Sequence, residues 1–592
     1  MQHRQTGPGI MLKLLQTTLC LALVLSLAAC AVTEAHAPTA TALPTTEAAT
    51  TTAAVTPPLP VEYNSFTEDQ LYQAIISELG AQRGGIEDAG EGYFDLAFST
   101  RDLGVIQRAV QFAAANNDLN ALLQLGLLWA EVAPEDPQPH LLLSFQFLEN
   151  GNFDQALSHM ARVIDLGGNI DFSALSERAG RLSPEERNAL ISNLRQLALR
   201  YPQQASIQLT LVRLLAQNQQ FDAALAELQL AKQRLPIDGV MFLLEAQLLQ
   251  SLNNTELALR TLRNGVRTYP ENTELRLNYA RLLIQQDNYR AAQEQFRQLM
   301  AQNPQDWETL YSIALLDLEM ENYDSAIQSL ERLIGVDQRV DESQFYLGFI
   351  YEQQDDSLRA IEHYRQVRSG SNNFLPAQQQ ATRHSIELGE LQDAHDWLSR
   401  LSRGQPRLEV LLTTIEASVL QQFGHGDAAK ALLDSALNRF PNDADLLFQR
   451  VLYFDGAGDR RSSENDLRQI ILMQPEDSRA LNHLGYMLAD QSTRYEEALE
   501  LLQRAIAIAP DDPAIIDSLA WVQYKLGIYE EALGNLRRAF AVFPDHEVAS
   551  HLGEVLWVMG RREEATQVWQ DALRERPDSP IIKEAMERLQ SS

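Results

Sequence analysis

The chain has 592 residues, of which 45% are apolar and 22% charged, and its formal net charge is −32. Such a length exceeds one ordinary hydrophobic core unless the chain is an array that grows in one dimension. The acidity argues against nucleic-acid binding, which needs clustered Lys and Arg, and against electrostatic docking on anionic lipid.

In chain order, the first feature is an apolar run, Leu14–Ala29, preceded by Lys13. It is short for a membrane span and reads as the core of a secretory signal over residues 1–29. Met11 is a plausible alternative start. The run ends LAAC, Leu27 to Cys30, which resembles the bacterial lipobox. That resemblance implies a lipid-bearing Cys30 as the first mature residue. With Ala31 next, it implies the periplasmic face of the outer membrane of a diderm bacterium. The only other cysteine is Cys20, so no disulfide framework or Cys-based zinc site supports the remaining chain.

Residues 31–60 contain nine Thr, nine Ala and five Pro. No apolar periodicity is available for burial, so 30–60 reads as a lipidated Cys followed by a tether with a span of about 30 Å. Residues 61–136 read as a divergent helical region. Its beginning suggests two helices joined by the glycine-rich AQRGGIEDAGEG of residues 81–92.

From there a period dominates. Prolines closing apolar segments sit at 202, 236, 270 and 304, then at 406, 441, 475, 510, 544 and 577. Alanines recur at 224, 258, 292, 326, 360 and 394, and at 498 and 532. Aromatics three residues earlier, such as Tyr289, Tyr323, Tyr495 and Tyr529, make a third register. Within one unit the apolar spacing is helical. Gly527 suits a turn between two helices, and Pro544 ends the second.

This pattern resembles the tetratricopeptide repeat, a helix–turn–helix unit, and implies an all-α, right-handed superhelical solenoid. The array runs over 137–579 as about 12 to 13 units, with 171–204 degenerate, and 580–592 serves as a C-terminal capping helix. In that family the first helix of each unit lines the concave face. Carrying those positions over gives a candidate protein-binding groove of Tyr311, Phe345, Phe349, Phe448, Tyr486, Trp521, Tyr524 and Trp557, with Trp521 the leading candidate. Charged neighbours are Glu308, Glu342, Glu352, Asp517, Lys525 and Glu554. Aromatics flanked by carboxylates suit a peptide with apolar and basic side chains. Trp569 falls at a packing position. Asn482 occupies one position of the family's carboxylate clamp, but the accompanying lysines are missing.

No catalytic, metal or cofactor motif stands out, so the expectation is a binding protein, not an enzyme. His425, between Gly424 and Gly426, belongs to a turn. The pairs Glu496–Glu497 and Glu530–Glu531 open second helices, where they favour the helix dipole. An enzyme hidden in 66–136 lacks any nucleophile–base pattern.

Signal, length and C-terminal motifs such as LNHLGYMLAD and HLGEVLWVMGRREEATQVW resemble a family of outer-membrane lipoprotein adaptors. The resemblance implies activation of a periplasmic carboxy-terminal processing protease. It also implies presentation of substrates such as peptidoglycan hydrolases. The competing expectation is a scaffold for assembling a secretion, pilus or exopolysaccharide-export complex.

Overall fold

The computed structural model describes residues 66–590; the signal, Cys30 and the tether lie outside them. The described residues form 31 α-helices and one short 3-10 helix, without a β-strand. They divide into two compact units, one ending at Ala121 and one beginning at Leu122.

The first unit holds helices Glu68–Gln82, Ile86–Thr100 and Leu103–Ala115. Its core is Leu96, Ala97, Ile106, Ala109 and Phe112. Tyr93 packs on Phe112 with ring centroids 5.2 Å apart, and Arg108 lies over the same ring. The glycine-rich stretch departs from expectation. The break is confined to Arg83–Gly85, and Gly90 and Gly92 lie inside the second helix. A Cβ on Gly92 would sit 2.3 Å from Ser77 Oγ. This glycine therefore permits close helix approach rather than a loop.

The second unit is a succession of helix pairs, and one pair shows why the sequence folds as it does. Asp512 caps helix Pro513–Lys525, its carboxylate accepting from Ala514 N and Ile515 N. Pro513 stands at the first helical position, where no amide donor is needed. Gly527 adopts φ +80°, and helix Tyr529–Val542 returns. Ala520 and Ala532 are fully buried where the two helices meet. Phe543 caps this second helix, and Pro544 follows.

The same devices recur. Asp306, Asp443 and Asp477 cap first helices two residues after Pro304, Pro441 and Pro475. Left-handed turn residues appear at Gln219, Asn253, Asp287, Glu321, Asp355 and Gly389, one per repeat at a spacing of 34. Where two helices pass closest, a glycine makes room: a Cβ on Gly485 would lie 2.6 Å from Leu502 Cγ, and one on Gly553 would collide with the Trp569 indole.

Departures from the repeat are local. In residues 171–204 the first helix is reduced to six residues, Ser173–Arg178, followed by the 3-10 turn Ala179–Arg181 and then helix Pro184–Arg200. Second helix Ser357–Arg365 has nine residues and the next one, Leu391–Leu401, has 11, against 13 in Tyr323–Gly335 before them and 14 in Gly426–Arg439 after them. Pro406, expected to close a segment, instead opens the 17-residue helix Pro406–Gln422. Its fixed φ is compatible with the first helical position, so proline spacing alone did not distinguish an end from a start.

Candidate functional site

All eight candidate groove aromatics lie on first helices of pairs. Tyr486 donates a hydrogen bond of 2.7 Å to Glu547 Oε1, 61 residues away. These side chains belong to helices Ser478–Gln491 and His546–Val558, with helix Pro513–Lys525 between them in the chain. First helices of alternate pairs thus come close enough here for their side chains to meet.

The candidates do not form one continuous strip. Tyr311 and Phe345 belong to a patch joined by Tyr346, whose ring lies 6.3 Å from Tyr311 and 5.7 Å from Phe345. Arg339 lies over the Tyr311 ring and forms ion pairs with Glu308 at 2.7 Å and Glu342 at 3.0 Å. Burial pushes the Tyr311 hydroxyl well above the usual tyrosine range and raises that of Tyr346, so both remain neutral at physiological pH. Phe349, expected to line the groove, is buried and belongs to the packing between helices. Glu352 is engaged by Tyr364, Arg383 and His384 rather than free for a ligand. Burial alone would raise its carboxyl, but these partners outweigh burial and lower it.

Phe448 is half-buried with Arg479 over its ring and His483 edge-on at 5.6 Å. His483 Nε2 lies 2.5 Å from Asp455.

The third patch is the most elaborate, and it corrects the leading expectation. Trp521 is only 4% exposed and stacks on His551 at 4.0 Å. It is therefore a packing residue, with Tyr524 at 5.1 Å and Lys525 over its ring. Its indole Nε1 is buried without a hydrogen-bond partner. His551 Nδ1 lies 3.0 Å and 3.1 Å from the two Asp517 oxygens. Burial opposes the imidazolium, but Asp517 and, further off, Glu547 and Glu554 outweigh it, so His551 titrates above its ordinary value. Asp517 and Glu554, expected as groove charges, are both buried, and Glu554 pairs with Arg588 of the final helix. Tyr524 and Trp557 remain half-buried, with Trp557 5.8 Å from the fully buried Trp569.

The available surface therefore comprises separated aromatic patches at Tyr311–Phe345, at Phe448, and at Tyr486–Tyr524–Trp557, each bordered by ion pairs. The buried Asp517–His551–Trp521 stack had no sequence signature, because its two charged members are a full repeat apart. Their identical register, 34 residues, was the only clue. Turn residue His425 and helix-opening pairs Glu496–Glu497 and Glu530–Glu531 occupy the places their spacing indicated. No cluster of three metal-ligating side chains occurs among the described residues, and none of their helices is long and apolar enough to cross a membrane.

Comparison with known proteins agrees with this architecture. Family profiles described as tetratricopeptide repeat match residues 249–312, 283–347, 448–513 and 518–580. The chain is 38% identical over 495 residues to "TPR repeat-containing protein PA4667" of Pseudomonas aeruginosa, covering 84% of each chain. A tetratricopeptide repeat protein of Parabacteroides merdae is 16% identical, over 42% of this chain and 98% of its own, with a TM-score of 0.31. The thermophilic TPR protein TTC0263 of Thermus thermophilus is 23% identical, over 31% of this chain and 97% of its own, with a TM-score of 0.27. Helix pairs at a constant period, their profiles and a relative matched over most of both chains lead to one conclusion: this chain belongs to the tetratricopeptide-repeat proteins.

Proposed function

We propose that this protein is a scaffold held at the periplasmic face of the outer membrane by lipid on Cys30. There it binds and activates a carboxy-terminal processing protease and presents protein substrates such as peptidoglycan hydrolases. Binding of other proteins is the coarse function that the repeat fold supports. The finer reading rests on the resemblance of the signal, lipobox and C-terminal motifs. The observation that carries scaffolding is the set of separated half-buried aromatic patches on first helices. Several partners can dock at once, each on its own patch, and a tether then raises their mutual concentration.

The mechanism needs no chemistry from this chain. Tyr311, Phe345 and Trp557 offer aromatic surface that loses little conformational entropy on binding, and Arg339, Glu308 and Glu342 define a polar rim. Proximity converts a slow encounter between protease and hydrolase into a local one.

The decisive experiment adds the purified full chain to the protease with a hydrolase substrate. Cleavage should accelerate strongly, and the combined substitution Tyr311→Ala and Phe345→Ala should weaken capture of one partner by about tenfold or more. Unchanged cleavage, with recovery of secretion, pilus or export components from solubilised envelopes, would replace this reading by the assembly scaffold. Cys30→Ser should shift the protein from the membrane to the soluble fraction; continued sedimentation with outer membrane would sink the anchor.

A further inference from the structure

Helix Glu68–Gln82 is amphipathic in the inverted sense. Its start is set by Thr67 and Gln70, which form a reciprocal capping box. Its inward face carries Gln73, Ala74, Ser77, Glu78 and Ala81. Those polar groups are used: Gln73 Nε2 donates to Gly92 O at 3.2 Å, and Glu78 accepts from Tyr93 Oη at 3.0 Å and Arg108 Nε at 2.6 Å. The outward face carries Leu71, Tyr72, Ile75, Ile76 and Leu79, each between 43% and 68% exposed. A contiguous apolar stripe of this kind on a soluble surface marks an interaction site, whereas scattered single residues would not.

We propose that this stripe is a homodimer interface, covered by the same helix of a second copy running antiparallel. The charges at its ends select that occupant. Glu68 and Asp69 are exposed at the start of the helix, and Arg83 is exposed at its C-cap. Glu68 and Arg83 lie equally far from the midpoint between Ile75 and Ile76. A two-fold axis through that midpoint therefore sets Glu68 of one copy against Arg83 of the other, twice, over a helix about 22 Å long. The same axis sets Tyr72 against Leu79 and Leu71 against Gly80, a large side chain against a smaller one. A parallel pair would oppose acid to acid, so the antiparallel arrangement also aligns the helix dipoles favourably.

The test is sedimentation equilibrium of the purified full chain at micromolar concentration, with hydrogen exchange of residues 68–82 in parallel. The wild type should be a dimer. The double variant Ile75→Glu, Ile76→Glu should raise the dissociation constant about a hundredfold or more while leaving helix content unchanged. Glu68→Arg should raise it about tenfold, because both symmetry-related pairs reverse together. Glu68→Arg combined with Arg83→Glu should restore it, which a merely structural effect of either change would not do. A monomeric wild type overturns the proposal. Strong protection of residues 68–82 in that monomer would assign the cover to the chain's own residues 1–65, and weak protection would leave the stripe to a different protein. Dimerisation that survives the double variant, or that the charge swap does not rescue, overturns it equally.

Discussion

Helix Pro580–Gln590 and helix Glu68–Gln82 each stand at an end of the described chain and treat their apolar side chains in opposite ways. In the former, Ile582 and Ala585 are buried in one cluster with Trp569, Ala565 and Leu556, while Lys583, Glu584 and Glu587 face solvent. In the latter, small and polar side chains face inward and the leucines and isoleucines face outward. Both are regular helices, of 11 and 15 residues. What differs is which stripe the neighbouring pair accepts. The last pair offers the Trp569 indole, a surface only apolar groups can cover. The first unit offers Arg108, Tyr93 and the Gly92 carbonyl, which only polar groups can satisfy. In each unit, the surface beneath the outermost helix thus decides which stripe that helix turns inward.

The sharpest way to break this contrast is to place a charge on each helix. Ile582→Asp buries an unpaired carboxylate and should cost about 3 kcal/mol or more, seen as faster hydrogen exchange throughout residues 546–590. A C-terminal segment that stays protected would mean that the last helix is not a cap. Next in size is Arg588→Ala. It leaves Glu554, 4% exposed, without its cation, and an expected loss of about 1–3 kcal/mol should appear in the same segment.

Proton concentration should separate the two ends as well. His551 is held charged by Asp517, Glu547 and Glu554, so its folded value lies above its unfolded value of about 6.5. Its stabilising contribution is complete below the unfolded value and disappears as pH rises through the folded one. Residues 546–590 should therefore lose protection as pH rises above the unfolded value of about 6.5, after correction for intrinsic exchange, and His551→Gln should flatten that dependence. The same profile in wild type and variant would remove His551 as its source. The smallest effect belongs to the first helix: at dilutions where the chain is monomeric, Ile76→Glu should change thermal stability by no more than about 0.5 kcal/mol, because in a single copy the side chain is half exposed. A larger loss would show that the stripe already has a cover within the monomer.

Much of the architecture could be read in advance from particular residues. The alanine register that includes Ala532 marks a repeating helical unit, and Pro544 marks the end of its second helix. The caps carry a sequence signal too, since an Asp follows Pro304, Pro441 and Pro475 by two residues. The candidate site was less legible. Tyr311, Phe345, Phe448, Tyr486, Tyr524 and Trp557 keep part of their rings accessible, whereas Phe349 and Trp521 do not. A helical position identifies the stripe a side chain belongs to. Whether a large ring at the stripe's edge is covered depends on the neighbour's side chain at that height, and for Trp521 the neighbour is His551, a whole repeat away.

The sequence by itself determined the repeat, because helix periodicity, small residues at crossing points and helix-ending prolines are local properties that act within one unit of about 34 residues. It also determined the acidic surface. Only the tertiary structure decided which aromatics remain accessible, that Pro406 opens a helix, that Asp517 and His551 form a buried pair, and that the first helix wears its apolar stripe outside. Each of these depends on the offset between successive helix pairs, which sums many small packing contacts and is written in no single unit.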